Sequence, residues 1–403
     1  MASPPRPASL CVAALQLNSA RDDVAGNLSR ALPHVEAAAA AGAHLVLLPE
    51  LYPSGYVFER ALWRTAERLE DGPTRAWCCA HAARLGVHLG TSFVEARASM
   101  RARGARPQRL TQPSLRVSQA RGQHFFNTFL LAAPDGSLAG VVRKQTPAAL
   151  EAFLFAPGVP RGPGSHVFPC PLLGGLRVGV FICYESHLLY APRYAAAEDA
   201  DLLLLPHCAT QLEGLPAAVC ASYDSVLMHL PRRTAAALGV PVVMANKSGP
   251  FRSSFLGSEL MVFQAPFPGY SSIVDADGSV LAPPTSDENV RLQATVRIPP
   301  PGTARRALQR GGSLGPPSMW DEWRKFGPQA PHPITLRVLF AIDEALGGAV
   351  YRLSGARRAA ALAASRMPAD AASIPPWRAQ LHPAMLALAA LAASRAVVAL
   401  RRE

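Results

Sequence analysis

A chain of 403 residues, 49% of them hydrophobic, is long enough to bury a large core, as one big domain with an extension or as two modest ones. Its formal charge of +12 suggests nucleic acid, yet the excess sits in two places: 96–121 carries seven Arg and no acid, and 300–403 carries 14 Lys and Arg against six acids. Without these segments the body is slightly acidic, and 96–121 has no aromatics among its arginines, so the reading is of a protein with no nucleic-acid partner.

Seven cysteines, an odd number without regular spacing, fit reduced thiols and a cytoplasmic protein. Cys78 and Cys79 are adjacent and no C-x-x-C occurs, so neither a metal site nor a cofactor is expected. Residues 1–8 read as a flexible start. The opening stretch has no apolar h-region, although its Arg and Ser leave an organellar address open. Ala384–Ser394, the best apolar run, is too short to span a bilayer.

In chain order, residues 9–17 predict a buried strand and 27–41 an Ala-rich helix ended by Gly42. Leu45–Glu50 predicts a strand delivering a carboxylate, followed by a loop over its end at 51–57. Gly72-Pro73-Thr74 opens a helix to Leu85, and 87–95 is a strand. Residues 96–121, rich in Arg with Pro107 and Pro113, read as a disordered surface insertion. Residues 125–132 and 136–144 predict a hairpin turning on Pro134-Asp135-Gly136, its second strand delivering Lys144.

Further strands are expected at 167–168, 177–183, 202–205, 240–245, 260–263, 271–274, 278–281 and 292–296, with helices near 190–199 and 218–237. Strands alternate with helices in part of the chain and form hairpins elsewhere, which fits an α/β mixed sheet pair covered by helices. From Pro299 the character changes. Pro/Gly linkers at 299–302 and 311–317 lead to Ala/Arg-rich helical stretches at roughly 335–366 and 379–402. These read as amphipathic helices packing on the body or on a partner subunit, with a membrane-surface helix as the sharper alternative.

Arg177–Ile182 is a β-preferring, mostly apolar run that ends at Cys183 and breaks into Tyr184-Glu185-Ser186. Strand, polar turn, helix is a geometry that presents a nucleophile at the carboxyl end of a buried strand. A lone Cys in such a place also reads as a core thiol, Glu50 as a capping carboxylate, and Arg143-Lys144 as an exposed basic pair. Taken together and in order, Leu48-Pro49-Glu50, Arg143-Lys144 and Cys183-Tyr184-Glu185 resemble the nitrilase superfamily of carbon–nitrogen hydrolases. The resemblance runs from about Cys11 to Ile298 and takes in Asn127-Thr128, Phe155-Ala156-Pro157-Gly158, Ala245–Gly249 and Ser271–Gly278.

That resemblance implies a four-layer αββα sandwich at 9–298, with the C-terminal extension beyond it, and a homodimer stacking two sandwiches. It implies a Glu-Lys-Cys triad of Glu50, Lys144 and Cys183, with Glu151 as a second glutamate orienting the lysine. The segment Gln145–Leu150 departs from the His-Leu-rich stretch common in relatives. Chemically, an unactivated amide needs a thiolate (Cys183), a proton carrier (Glu50) and a fixed positive charge for the oxyanion (Lys144). Tyr56, Tyr184 and His207, just beyond strand ends, are candidate substrate contacts, and His207 reads equally as a structural histidine.

The expected function is hydrolysis of a small non-peptide amide through an acyl-thioester, with Tyr184 after the nucleophile leaning toward amidases. A nitrilase working through a thioimidate is the alternative. A catalytically idle scaffold binding a partner through the extension is the alternative of another class. An acyltransferase of the lipid-acylating branch would need membrane helices that the sequence does not carry.

Overall fold

The computed structural model describes residues 4–98, 123–148, 151, 154–156, 158, 166–188, 190–211, 217–255 and 258–309. The first strands are β1 (Ser9–Gln16), β2 (Leu45–Leu47), β3 (His88–Ala98), β4 (Gln123–Ala132), β5 (Leu138–Arg143), β6 (Val167–Cys170), β7 (Leu176–Val180) and β8 (Leu202–Pro206). Then come β9 (Val242–Ala245), β10 (Ser248–Gly249), β11 (Arg252–Phe255), β12 (Ser258–Gln264), β13 (Phe267–Pro268), β14 (Ser272–Val274), β15 (Val280–Ala282) and β16 (Val290–Arg297). The α-helices are α1 (Val24–Ala40), α2 (Pro73–Leu85), α3 (Tyr190–Ala197), α4 (Ala217–Leu238) and α5 (Thr303–Gln309).

Two six-stranded sheets stand out among the described residues, ordered β16-β1-β2-β3-β4-β5 and β15-β14-β9-β8-β7-β6. Each has three parallel strands at its heart, β1-β2-β3 in one and β7-β8-β9 in the other, flanked by antiparallel neighbours. Parallel strands need both faces covered, which is why their sequences are continuous apolar runs rather than alternations.

The side-chain period shows how. Val12 and Ala14 of β1 share one core with Leu202 and Leu204 of β8, between the sheets. Ala13 and Leu15 face the other way, onto Ala31, Val35 and Ala38 of α1 and Cys78 and Ala82 of α2. Leu203 and Leu205 likewise pack with Ala195 of α3, Ala235 and Leu238 of α4, and Ala304 of α5. The layers are therefore α–β–β–α, as expected. Leu204 is fully buried between the sheets. We expect Leu204→Ala to cost about 2–5 kcal/mol, read as a lowered urea midpoint with the slope unchanged.

Several boundaries differ from the sequence reading. Helix α1 starts earlier, because Asp23 caps it by accepting from the Gly26 N–H at 2.9 Å. Ala96, Arg97 and Ala98, which the sequence assigns to the insertion, extend β3 and pair with Phe125, His124 and Gln123. The ladder's hydrogen bonds outweigh the charge of a short Arg-containing stretch there. Residues 99–121, the rest of that insertion, lie outside the described residues.

The chain start is tied down from Arg6, which pairs with Asp201 at 2.6 Å. Residues 299–309 stay on the body, where Asp199 accepts from the Gly302 N–H at 2.8 Å. The helices predicted at 335–366 and 379–402 lie outside the described residues. No described helix is long and apolar enough to cross a membrane.

Candidate active site

The carboxyl ends of β2, β7 and β8, near the middle of the two sheets, and of the edge strand β5 converge. Glu50 follows β2 by three residues, Lys144 follows β5 directly, Cys183 follows β7 by three, and Cys208 follows β8 by two. The sheets are stitched at this end by the Glu50 N–H, which donates to the His207 carbonyl at 3.1 Å.

Lys144 is wholly buried, not half of an exposed basic pair. Its Nζ lies 2.7 Å from Glu50 Oε1 and 2.7 Å from Glu151 Oε2. Burial works against the ammonium, but Glu151 and Glu50 outweigh it and hold its pKa well above the ordinary lysine value. The lysine is a fixed cation. Its neighbour Arg143 is spent elsewhere, on both oxygens of buried Glu95 at 2.6 Å.

Burial raises the Glu151 pKa, with Lys144 pulling the other way. Its carboxylate also accepts from the Tyr56 hydroxyl at 2.9 Å and the Ala148 N–H at 3.0 Å. The Tyr56 phenol is pushed well above its usual pKa, by burial first and then by Glu151.

Glu50 is fully buried. Oε1 accepts from Lys144 and from Asn127 Nδ2 at 2.6 Å, while Oε2 accepts from the Cys208 thiol at 2.6 Å. A Glu50 oxygen and the Sγ atoms of Cys183 and Cys208 all lie within 4.8 Å of one another. These three side chains are the group among the described residues with spacing suited to a metal ion. A cation there would face the Lys144 ammonium across one carboxylate oxygen, so the donor set does not fit one well.

Cys183 is half-buried and opens a short 3-10 turn, Cys183–His187, with φ +50. The left-handed backbone costs a non-glycine residue about 1–2 kcal/mol, and something must hold it. Glu185 does so. Its carboxylate accepts from the Ile182 N–H at 3.0 Å, the Gln145 N–H at 2.7 Å and the Thr146 N–H at 3.2 Å. One buried side chain thereby fastens the Cys183 turn to the loop after Lys144. Burial pushes the Glu185 pKa up, but the bond to His166, 3.3 Å away, and the donated N–H bonds leave it below the ordinary value.

A carboxyl with a lowered folded-state pKa contributes stability in full above the unfolded carboxylate range, and loses it as pH falls through the folded value. We expect Glu185→Gln to cost about 2–3 kcal/mol near neutrality, with the gap to the parent closing in acid. Urea unfolding of both proteins across pH checks this.

His207 is fully buried, and its Nε2 lies 3.0 Å from Ser186 Oγ, which donates to the Cys183 carbonyl at 2.6 Å. Burial first, then His187 and Lys144, depress its pKa well below the ordinary value, so the ring is neutral. This placement suits the structural reading of His207. Tyr184 is half-buried within the turn. Tyr56 belongs to an apolar wall with Val94, Phe125, Leu154, Phe251 and Phe267, against which Cys183 packs.

The sequence reading missed Asn127, Glu185 and Cys208 as members of this site. Cys208 carried a signal, since it sits just past a buried parallel strand as Cys183 does. Lys247 was also missed. It is buried, hydrogen-bonded to Ser19 Oγ and lying 3.3 Å from the Leu51 carbonyl, and burial depresses its pKa to about 8.

Known proteins resemble this chain over most of the described fold. A nitrilase from Pyrococcus abyssi is 27% identical over 197 residues, covering 48% of this chain and 63% of that protein. An N-carbamoylputrescine amidase from Arabidopsis thaliana is 26% identical over 269 residues, covering 65% and 78% respectively. The solved carbon–nitrogen hydrolase of Helicobacter pylori G27 superposes with a TM-score of 0.57 at 21% identity, over 79% of this chain and 94% of that one. The family model described as carbon–nitrogen hydrolase matches residues 11–299. With a match of that extent, the chain belongs to the carbon–nitrogen hydrolase family.

Proposed function

We infer that this carbon–nitrogen hydrolase is of the amidase type and opens a small non-peptide amide through an acyl-thioester on Cys183. The observation that carries this is the buried Glu50–Lys144–Glu151 charge network with the Cys183 sulfur within 4.8 Å of a Glu50 oxygen. Burying an ammonium between two carboxyl groups costs free energy, and a scaffold protein has no use for it.

In this reading Glu50 takes the Cys183 proton as sulfur attacks the carbonyl carbon. Lys144, kept charged, holds the negative oxygen that forms. Glu50 passes its proton to the departing nitrogen, then takes one from water as that water attacks the thioester, releasing an acid and free Cys183. Glu151 positions Lys144, Asn127 orients Glu50, and Tyr56 and Tyr184 help to shape the substrate wall.

The named relatives support amides and N-carbamoyl amines as the first compounds to try, and nitriles as the second. A panel of the three classes, scored for released ammonia or amine, tests the reading. Turnover of amides or carbamoyl amines supports it. Cleavage of nitriles alone transfers the chemistry to a thioimidate, and inertness toward all three favours the scaffold. A homodimer in the cytoplasm completes the reading, and sedimentation of the purified protein tests the dimer.

A further inference from the structure

The mechanism above uses one thiol, but the site holds two. Cys183 is half-buried, whereas Cys208 is 3% exposed, and their sulfurs lie within 4.8 Å of each other. Neither is in a disulfide. The Cys208 thiol donates to Glu50 Oε2 at 2.6 Å, so a base is already in contact with its proton. The Lys144 ammonium on the same carboxylate favours negative charge in the pocket.

We propose that Cys183 and Cys208 form a dithiol modification site for hydroperoxides, in which Cys208 resolves an oxidised Cys183 as an intramolecular disulfide. This rests on reading Cys183 as the reactive thiol of the site. The accessible sulfur reacts first. Cys183 gives its proton to Glu50 and its sulfur attacks one peroxide oxygen; the O–O bond breaks, and the departing alkoxide or hydroxide recovers that proton from Glu50, leaving Cys183 as a sulfenic acid. Cys208 then gives its proton to Glu50, and its sulfur attacks the Cys183 sulfur. The S–O bond breaks, and the leaving hydroxide recovers the proton from Glu50 as water. The peroxide is reduced by two electrons and the two thiols are oxidised by two.

Closure asks two sulfurs within 4.8 Å of each other to approach to about 2.0 Å. Burial, contact with Cys183 and the neighbouring Glu50 raise the Cys208 pKa, so this thiol stays protonated until the sulfenic acid is beside it. The product cannot turn over, because the nucleophile is tied up, yet a dithiol reductant restores it. Without a resolving partner, the sulfenic acid would proceed to the irreversible sulfinic acid.

The test treats the full chain with hydrogen peroxide, alkylates under denaturing conditions, and maps peptides by mass. The parent is expected to lose two hydrogen atoms and two alkylatable thiols, with the Cys183 and Cys208 peptides joined, and dithiothreitol is expected to reverse all of it. Cys208→Ser is expected to gain two oxygen atoms on Cys183 instead, with no recovery. In Cys183→Ala, Cys208 should remain alkylatable. The proposal is overturned if parent Cys183 accumulates oxygen while Cys208 stays free, or if Cys208 joins a different cysteine. The parent map is decisive even should a variant misfold. None of these readouts needs a substrate, so a failure here is distinct from a failure to hydrolyse amides.

Discussion

Replacing Cys183 with Ala should lower turnover of the best amide substrate by about 10⁴-fold or more while leaving the protein folded. The two halves of that expectation have different causes. Turnover falls because the remaining groups, Glu50 and Lys144, have no sulfur to deprotonate and no adduct to stabilise. Water brought to the same place would lack the thiolate's nucleophilicity and its covalent intermediate. The fold survives because the side chain is half-buried and its turn is held by Glu185 and Ser186 through bonds to backbone atoms. Steady-state kinetics beside thermal unfolding separates the two. Activity within about tenfold of the parent would mean that another group, with Cys208 the nearest thiol, is the nucleophile.

Lys144→Met is expected to damage both stability and activity, the stability by about 3–5 kcal/mol near neutral pH. The ammonium bridges two buried carboxylates at 2.7 Å each, so its removal leaves Glu50 and Glu151 facing each other without a countercharge. In the parent, the lysine's raised pKa contributes stability that is fully present below the unfolded lysine value, about 10.4, and is lost as pH rises through the folded value. That contribution is therefore constant from mildly acidic to neutral buffer. In the variant the carboxylates respond by protonating, since Glu151 already has a raised pKa and loses its main opposing charge. The gap between the two proteins should thus narrow as pH falls, and urea midpoints at several pH values measure it. A difference below about 1 kcal/mol at neutrality would show that the network is not held as described.

Much of this was legible in the sequence because the relevant signals are local. Leu202–Leu205 and Leu45–Leu48 are unbroken apolar runs, as strands covered on both faces must be, and each is followed, one proline later, by His207 or Glu50 at the site. Cys208 escaped notice because its importance lies in a contact across the two sheets, with Glu50 some 158 residues earlier in the chain. The same holds for Glu185, whose carboxylate reaches back to the backbone of Gln145 and Thr146. Composition cannot announce such pairings. The Arg97 region misled in the opposite direction, since charge suggested a loop where ten ladder pairs between β3 and β4 keep an extended strand.

The proposal that Cys183 carries the acyl group is tested most directly by trapping it. Mixing the protein with a substrate amide, quenching in acid within one turnover and mapping the peptides should find the substrate's acyl group on Cys183, in thioester linkage and labile to hydroxylamine. Replacing Glu50 with Gln should slow both the appearance of the adduct and its loss, because the same carboxylate serves acylation and the deacylating water. Turnover with no acyl group on Cys183 at any quench time, or with the group on a different residue, would contradict the account.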